Sequence, residues 1–457
     1  MAAIAGVFGT ADAAKFVALM LHATQHRGQE AAGIAAVQGT NFSIHRAPGE
    51  VGDVFGEKSP ALSKLVGSSA IGHNRYTTTG STDVKNTQPL FGDDVHGGLA
   101  ISHNGHFTNK EVLRDSLQKK GAIFQSETDT EIVLHLYARS GKRQTHERIA
   151  EALSRVVGAY SLIALTKNEI VAVRDSHGFR PLVMGKLGDT YAFASEVCAL
   201  DLIGAQFIRE VTPGEIIVID AQGMRGYHLW APQPPRPCIF EYVYFSRPDT
   251  VFCGRSVNNV RESIGAMLGH ESPAPAGSIV VPVLDSGVLH ALGYARATGL
   301  PYVHGIVRSH YMGRTLIGPE HQISDLNVRR KFNVNRFLVE NKCVALVDDS
   351  VVRGNTSREI VAMLRKAGAR EIHLRVASPP MAHPCFYGLK PKHKILLAAK
   401  YSLEEMRVYL QLDSLAFLSL NGLYRAVHGV PRNAAIPQGC DACFTGDYPT
   451  ALPDLGR

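Results

Sequence analysis

The first 197 residues contain no cysteine, which excludes a disulfide-stapled scaffold at that end. The seven cysteines that follow are Cys198, Cys238, Cys253, Cys343, Cys385, Cys440 and Cys443. An odd, widely spaced set fits a reducing, cytoplasmic compartment. No apolar run approaches the ~20 residues needed to cross a bilayer. No basic segment leads into an apolar one at the start, so neither membrane insertion nor secretion is expected. Long runs of one charge are also missing, as are arginine–aromatic interleaving and zinc-finger spacing, which argues against nucleic acid. Lys and Arg exceed Asp and Glu by 48 to 41, a net charge of +7. That excess can favour phosphorylated small molecules, but more often it is a diffuse solvated surface. There is no internal repeat. What is present is 457 residues, 45% hydrophobic and 19% charged, a globular composition with room for two domains or roughly three.

Two rhythms divide the chain. As far as about residue 230, short β-type runs such as "IAGVFG", "GLAISHNGHF", "AYSLIALT", "EIVAVRD" and "EIIVID" alternate with amphipathic segments. One of these, "TDTEIVLHLYARSG", opens with a Thr-x-x-Glu pattern that predicts a capping box on Thr128 and Glu131. Antiparallel sheets flanked by helices are expected here. "APQPPRPC" (231–238), with four prolines in eight residues, is the strongest boundary signal. Beyond it, "SIVVPVLDSG", "CVALVDDSVVRG" and "EIHLRVASPP" are near-continuous β-branched runs separated by helical segments, the pattern of a parallel α/β sheet. Residues 430–457 read as loop. The expected domains are 1–232, 233–429 and a cysteine-bearing tail, 430–457.

"VALVDDSVVRGNTS" (344–357) carries the strongest chemical signal. An apolar strand delivers two acids, then a short glycine loop, then a helix with Ile360, Val361, Leu364 and Ala367 on one face. Unpaired N–H groups and the helix dipole make such a loop an anion site. Gly354, Thr356 and Ser357 let a phosphate approach, and Asp348 and Asp349 are placed to accept hydrogen bonds from vicinal hydroxyls. The alternative is an acidic turn of an ordinary α/β protein. The string resembles the phosphoribosyl-pyrophosphate (PRPP) signature of type I phosphoribosyltransferases. That resemblance implies that Asp348, Asp349, Ser350, Arg353, Gly354, Asn355, Thr356 and Ser357 bind PRPP. It also implies that the strand–loop–helix at Asp285, Ser286 and Gly287 contacts its pyrophosphate with Mg²⁺. "RSHYMGRTLIGP" (308–319) resembles the family's closing catalytic loop, with Arg308, Tyr311 and Arg314 as candidate contacts. "VRRK" (328–331) reads as a solvated basic face.

"QHRGQEAAGI" (25–34), "GHNRYTTTG" (72–80), "SHNGHFTN" (102–109), "TDTE" (128–131), "RDSHGFRPLVMG" (174–185) and "FEYVYFSRPD" (240–249) precede that signature in order. Together they resemble the glutamine PRPP amidotransferase family. The family implies an N-terminal Ntn-hydrolase-like α/β/β/α sandwich joined to a type I phosphoribosyltransferase parallel α/β fold, assembled as a dimer or tetramer. Its mature chain begins with a cysteine before a "GVFG"-like strand, and that thiolate attacks glutamine. The matching position here is Ala5. Thr10 is the only hydroxyl nearby, and processing to expose it would delete the strand. Glutaminase chemistry by this mechanism is therefore expected to be absent. Arg75 and Asp129 match the residues that hold the glutamine carboxylate and amine, and Asn104 with Gly105 matches the oxyanion hole. An engineered exchange or a natural loss would each give Ala5. Departures at Asn74, His106, Ser309, His310, Lys394 and Ile395 favour the natural one.

Cys238, Cys385, Cys440 and Cys443 match the family's iron–sulfur branch, which implies one [4Fe–4S] cluster stapling linker, second domain and tail. Four thiolates suit zinc equally by spacing, and a lone CxxC could be a redox pair. Cys198, Cys253 and Cys343 read as plain thiols. The leading expectation is a phosphoribosyltransferase acting on PRPP and a nitrogen nucleophile other than glutamine-derived ammonia, namely a nucleobase such as a 7-deazapurine. The second is 5-phosphoribosylamine formation from free ammonia. The third is a regulatory pseudoenzyme that binds PRPP or nucleotides.

Overall fold

The computed structural model describes residues 2–56, 59–77, 81–309, 332–389 and 396–455. The chain forms two compact units. The first is Met1–Cys238 with Cys385–Lys390 and Tyr448–Arg457, and the second is Ile239–Pro384 with Pro391–Asp447.

In the first unit, strands β1 (Ala3–Phe8), β2 (Ala31–Gln38), β3 (Asn41–Pro48), β4 (Ser69–Arg75), β5 (Leu90–Asp94), β6 (Gly97–Phe107) and β7 (Gly158–Leu165) are followed by six more. These are β8 (Ile170–Arg174), β9 (Val183–Leu187), β10 (Thr190–Ala194), β11 (Gln206–Glu210), β12 (Glu215–Asp220) and β13 (Gly223–His228). They build two antiparallel sheets, ordered β11-β9-β10-β1-β4-β2-β3 and β13-β12-β8-β7-β6-β5. Alternation along each strand decides which core a side chain enters. Ile4, Ile71, Ala100, Ile163 and Ile217 share one core, which lies between the sheets. Ala5, Val7 and Ala70 face the other way, into a core with helix α1 (Ala13–Ala23). On the outer face of the six-stranded sheet, Leu99, Ile101 and Leu162 pack with helices α2 (Lys110–Gln118), α3 (Thr130–Ala138) and α4 (Thr145–Leu153). The layering is helix, sheet, sheet, helix, as expected.

The predicted capping box does not form. Helix α3 starts at Thr130 without a side-chain cap. Glu131 turns back to accept from Gln125 N–H, Ser126 N–H and Ser126 Oγ, each at 2.7 Å. Burial opposes its ionisation, but His135 and these bonds hold the carboxyl down to about 2. Three donors in the preceding turn outcompete a single cap.

The second unit is built on four parallel strands, β14 (Ile279–Pro282), β15 (Cys343–Asp348), β16 (Glu371–Val376) and β17 (Ser414–Phe417), in that order. β17 was not read from the sequence. Val344, Leu346, Ile372 and Leu374 pack with Ile360, Val361 and Leu364 of helix α7 (Asn355–Lys366). Helices α5 (Val257–Glu271) and α6 (Val288–Thr298) cross closely. A Cβ on Gly265 or Gly293 would lie 1.9 Å from a carbonyl of the facing helix, so only glycine allows that approach.

Contact packing also places residues differently from the expected bounds. Residues 233–238 go with the first unit, where Arg236 and Cys238 N–H donate to the His177 and Phe179 carbonyls. The tail divides after Asp447. Its last residues join the first unit, where Asp454 caps helix α2 by accepting from Glu111 and Val112 N–H at 2.9 and 3.2 Å. No helix among the described residues is long and apolar enough to cross a membrane.

Candidate functional site

In the second unit the acid pair sits where a parallel strand delivers it. Asp348 ends β15, and Asp348 and Asp349 are 6% and 5% exposed. Asp349 N–H donates to Asp348 Oδ1 at 2.9 Å. Burial and then the neighbouring acid push the Asp348 carboxyl well above its ordinary range. Burial raises Asp349 too, partly offset by hydrogen bonds from Ser286 and Ser350 and by the Arg261 charge. Two adjacent carboxylates taken from water need partners that ionisation favours, such as vicinal hydroxyls or a cation.

The next residues form the loop into helix α7, a geometry able to hold an anion. Arg353, Asn355 and Thr356 are exposed, Ser350 is half-buried, and Gly354 and Ser357 are buried. Gly354, at φ +79°, is the N-cap of α7, and no side chain caps that helix. Its first N–H groups therefore face outward beside the acid pair. The second loop comes from β14: Asp285 is exposed, Ser286 half-buried and Gly287 buried. Gly287 N–H donates to the Val283 carbonyl and Val283 N–H to the Val347 carbonyl, both at 2.8 Å, which ties this loop to the last turn of β15. The Ser286 side chain lies close enough to favour the charged form of Asp349. Arg308, at the end of the short strand Ile306–Arg308, pairs with Asp285. The two loops and Arg308 thus converge. Tyr311 and Arg314, with His310, Lys394 and Ile395, lie outside the described residues.

Arg261 was missed from the sequence. It is buried in α5 and donates to the Tyr242 and Ser246 carbonyls at 2.8 and 2.7 Å. Its signal was legible: an arginine on the apolar stripe Val257, Val260, Ile264, Leu268.

In the first unit, Ala5 is 1% exposed and pairs with Gly72 and Ala194. Ala2 N–H donates to Asn104 Oδ1 at 3.2 Å and Ile4 N–H to Ser195 Oγ at 3.0 Å, so the backbone before Ala5 continues β1 into buried surroundings. Arg75 donates to the Asn86 and Ser81 carbonyls and lies within the fields of Glu30, Asp129 and Glu127. Asp129 Oδ2 accepts Phe107 N–H at 3.0 Å and lies 3.4 Å from His106 Nδ1. Burial opposes its ionisation, but His103, His106 and that N–H hold the carboxyl below its ordinary value. Gly105, at φ +153°, has Ala159 O where a Cβ would sit. Arg75 and Asp129 thus share an electrostatic neighbourhood and Asn104 is engaged by Ala2. The Ala5 methyl points to the α1 side of its sheet, away from the inter-sheet core that Ile4 enters.

The four cysteines of the expected cluster carry no disulfide. In the first unit Cys238 is 8% exposed and Cys385 is half-buried, its Sγ 3.4 Å from Tyr387 N–H. In the second, Cys440 and Cys443 are 7% and 8% exposed. Their carbonyls accept from Ile239 N–H and His383 N–H, each at 3.1 Å. Both bonds lie within the second unit and hold the Cys440–Cys443 turn. Asp441, fully buried, anchors that turn by accepting from Tyr424 Oη at 2.9 Å and Arg432 Nε at 2.5 Å.

Comparison with known proteins agrees with both halves. A family model described as a glutamine amidotransferase domain matches residues 73–202. The amidophosphoribosyltransferase of Rhizobium etli is 51% identical over 456 residues, covering 98% of this chain and 92% of that protein. The Bacillus subtilis amidophosphoribosyltransferase is 43% identical over 449 residues, covering 98% and 94%. A solved structure of the B. subtilis glutamine PRPP amidotransferase, complexed with ADP and GMP, superimposes with a TM-score of 0.92 at 42% identity, over 98% of both chains. At that identity and coverage the chain is a phosphoribosyltransferase and belongs to the amidophosphoribosyltransferase family.

Proposed function

We propose that this protein transfers the 5-phosphoribosyl group of PRPP to ammonia, forming 5-phosphoribosylamine for purine biosynthesis, without a working glutaminase of its own. The observation that carries the transfer is the buried Asp348–Asp349 pair beside the uncapped N-terminus of α7. Asp348 and Asp349 accept hydrogen bonds from the ribose hydroxyls. The N–H groups and hydroxyls of 354–357 hold the 5′-phosphate, and Asp285, Ser286 and Gly287 line the pyrophosphate side with Arg308. The nitrogen lone pair forms the new bond to C1 as the C1–O bond breaks, and pyrophosphate leaves with that electron pair. Asp348 and Asp349 are the residues suited to a magnesium ion, which when bound offsets the charge of the leaving group. Arg75, Asn104, Gly105 and Asp129 keep the amidotransferase-type surroundings, but Ala5 offers a methyl group where the family uses a thiolate.

The relatives' name favours ammonia over the nucleobase acceptor expected from the departures in the sequence. Cys238, Cys385, Cys440 and Cys443 supply four undisulfided thiols on buried or half-buried turns, a donor set that fits a [4Fe–4S] cluster. The cluster's role is to tie the tail down. Metal analysis of anaerobically purified protein should give about four irons per chain, against one zinc for the alternative. The deciding assay follows pyrophosphate release from PRPP and Mg²⁺ with ammonia, glutamine, or a panel of purine and deazapurine bases. Release with ammonia alone is expected. Release with glutamine would reject the loss of glutaminase, and release only with a base would restore the nucleobase reading.

A further inference from the structure

The leading edge of the parallel sheet carries a second cluster, unrelated to PRPP. Cys343 opens β15 and lies opposite Glu371, the first residue of β16. Parity puts His373 on the same face as Glu371, and its own partner on β15 is Ala345, whose small side chain leaves room for the imidazole to lean toward Cys343. One ligand atom each of Cys343, Glu371 and His373 lies within 4.8 Å of the other two. Cys343 Sγ is 3.6 Å from Glu371 Oε2, and His373 Nε2 is 3.2 Å from the same oxygen.

These are the separations of metal ligands. With zinc about 2.3 Å from sulfur and about 2.0 Å from nitrogen and oxygen, tetrahedral geometry places S and O about 3.5 Å apart and N and O about 3.3 Å apart. The surroundings orient each donor as a ligand shell does. Ser414 Oγ is 2.8 Å from His373 Nδ1 and can accept its N–H, leaving Nε2 for a metal. Arg370 engages the other carboxylate oxygen of Glu371, Oε1, at 3.4 Å. Ser278 Oγ lies 3.0 Å from Cys343 Sγ. Burial raises the Cys343 thiol, so metal binding there displaces a proton. One thiolate and one carboxylate balance a divalent charge. The Glu371 side chain is 40% exposed, which leaves a fourth position open to water.

We propose that Cys343, Glu371 and His373 bind a zinc-class divalent cation that clamps β15 to β16. Cys343 and Asp348 are separated along β15 by about 16 Å, so the ion is remote from the reacting atoms and its role is structural. The test is anaerobic titration of the full-length protein with Co²⁺ followed by Zn²⁺, in wild type, Cys343→Ser, Glu371→Gln and Cys443→Ser. In wild type and Cys443→Ser, one equivalent of Co²⁺ should give a thiolate-to-cobalt charge-transfer band that Zn²⁺ displaces. The band should vanish in Cys343→Ser. Glu371→Gln alters a half-exposed side chain and should fold. There the affinity should fall more than about tenfold, the loss seen even for outer-shell partners of a metal, and the rise in melting temperature on adding Zn²⁺ should disappear. No band in wild type, a band lost in Cys443→Ser, or one unchanged in Glu371→Gln overturns the proposal.

Discussion

Gly287→Ala is the sharpest test of how the proposed PRPP site is held. Gly287 has φ −78°, so alanine meets no backbone strain, and only space opposes it. The new Cβ would lie 2.5 Å from the Val347 carbonyl oxygen, 2.8 Å from the Val283 oxygen and 3.1 Å from the Val283 nitrogen. All three are backbone atoms, and Val347 directly precedes Asp348, so no flexible side chain can yield. Overpacking of this kind costs about 1–3 kcal/mol. Lifting the loop also strains the Gly287–Val283 and Val283–Val347 hydrogen bonds, each worth about 0.5–1.5 kcal/mol. The sum is about 2–6 kcal/mol. A displacement of about 1 Å between the two loops would lower turnover by about a hundredfold. Urea unfolding and steady-state kinetics with PRPP and ammonia measure the two effects. Gly52→Ala is the control: its Cβ meets nothing within 4 Å, and its helical site should make alanine neutral or stabilising by up to about 1 kcal/mol. If Gly287→Ala matches wild type in unfolding midpoint and in KM for PRPP, the loop is not held against β15 as described.

Asp349→Asn should abolish PRPP-dependent pyrophosphate release. Burial raises both carboxyls, and Asp349 raises Asp348 further, so the pair's stabilisation is greatest in acid and is lost as pH rises through the raised values. Thermal melts should therefore show the variant more stable than wild type at neutral pH, with the gap narrowing as pH falls through the raised values and closed by about pH 4. Asp441→Ala leaves Tyr424 Oη to the Gly439 carbonyl and Arg432 to Asp447, and should cost about 1–3 kcal/mol. On the proposed cluster, the same variant should lower iron content, read by metal analysis, because that turn presents Cys440 and Cys443. Asp454→Ala removes the cap of helix α2 and should cost about 1 kcal/mol in the unfolding of the first unit. An unchanged midpoint would mean that the tail does not hold that helix.

Much of the molecule was legible from local pattern. Near-continuous apolar runs gave β14, β15 and β16, and short β-type runs bounded by Gly, Asn, Asp and Thr gave the antiparallel strands, because strands buried on both faces read as unbroken apolar runs. The acid pair and the glycine loop were legible because strand, turn and helix N-terminus are consecutive in the chain. The capping box was misread because Thr128 and Glu131 suited it locally, while Gln125 and Ser126 offered Glu131 more donors. Cys343 was read as a plain thiol because its companions Glu371 and His373 arrive from the neighbouring strand, and no spacing along the chain announces that register.

The sequence by itself determined the two-part organisation, the strand–acid pair–glycine loop–helix unit and the alanine at position 5 of the first strand, since each depends on residue identity or on neighbours in the chain. Only the tertiary structure decided that Arg261 lies within reach of the acid pair's field, that Asp454 caps helix α2, and that Cys343 meets Glu371 and His373. Strand register and helix crossing bring distant residues together, and both are fixed by packing across the whole unit.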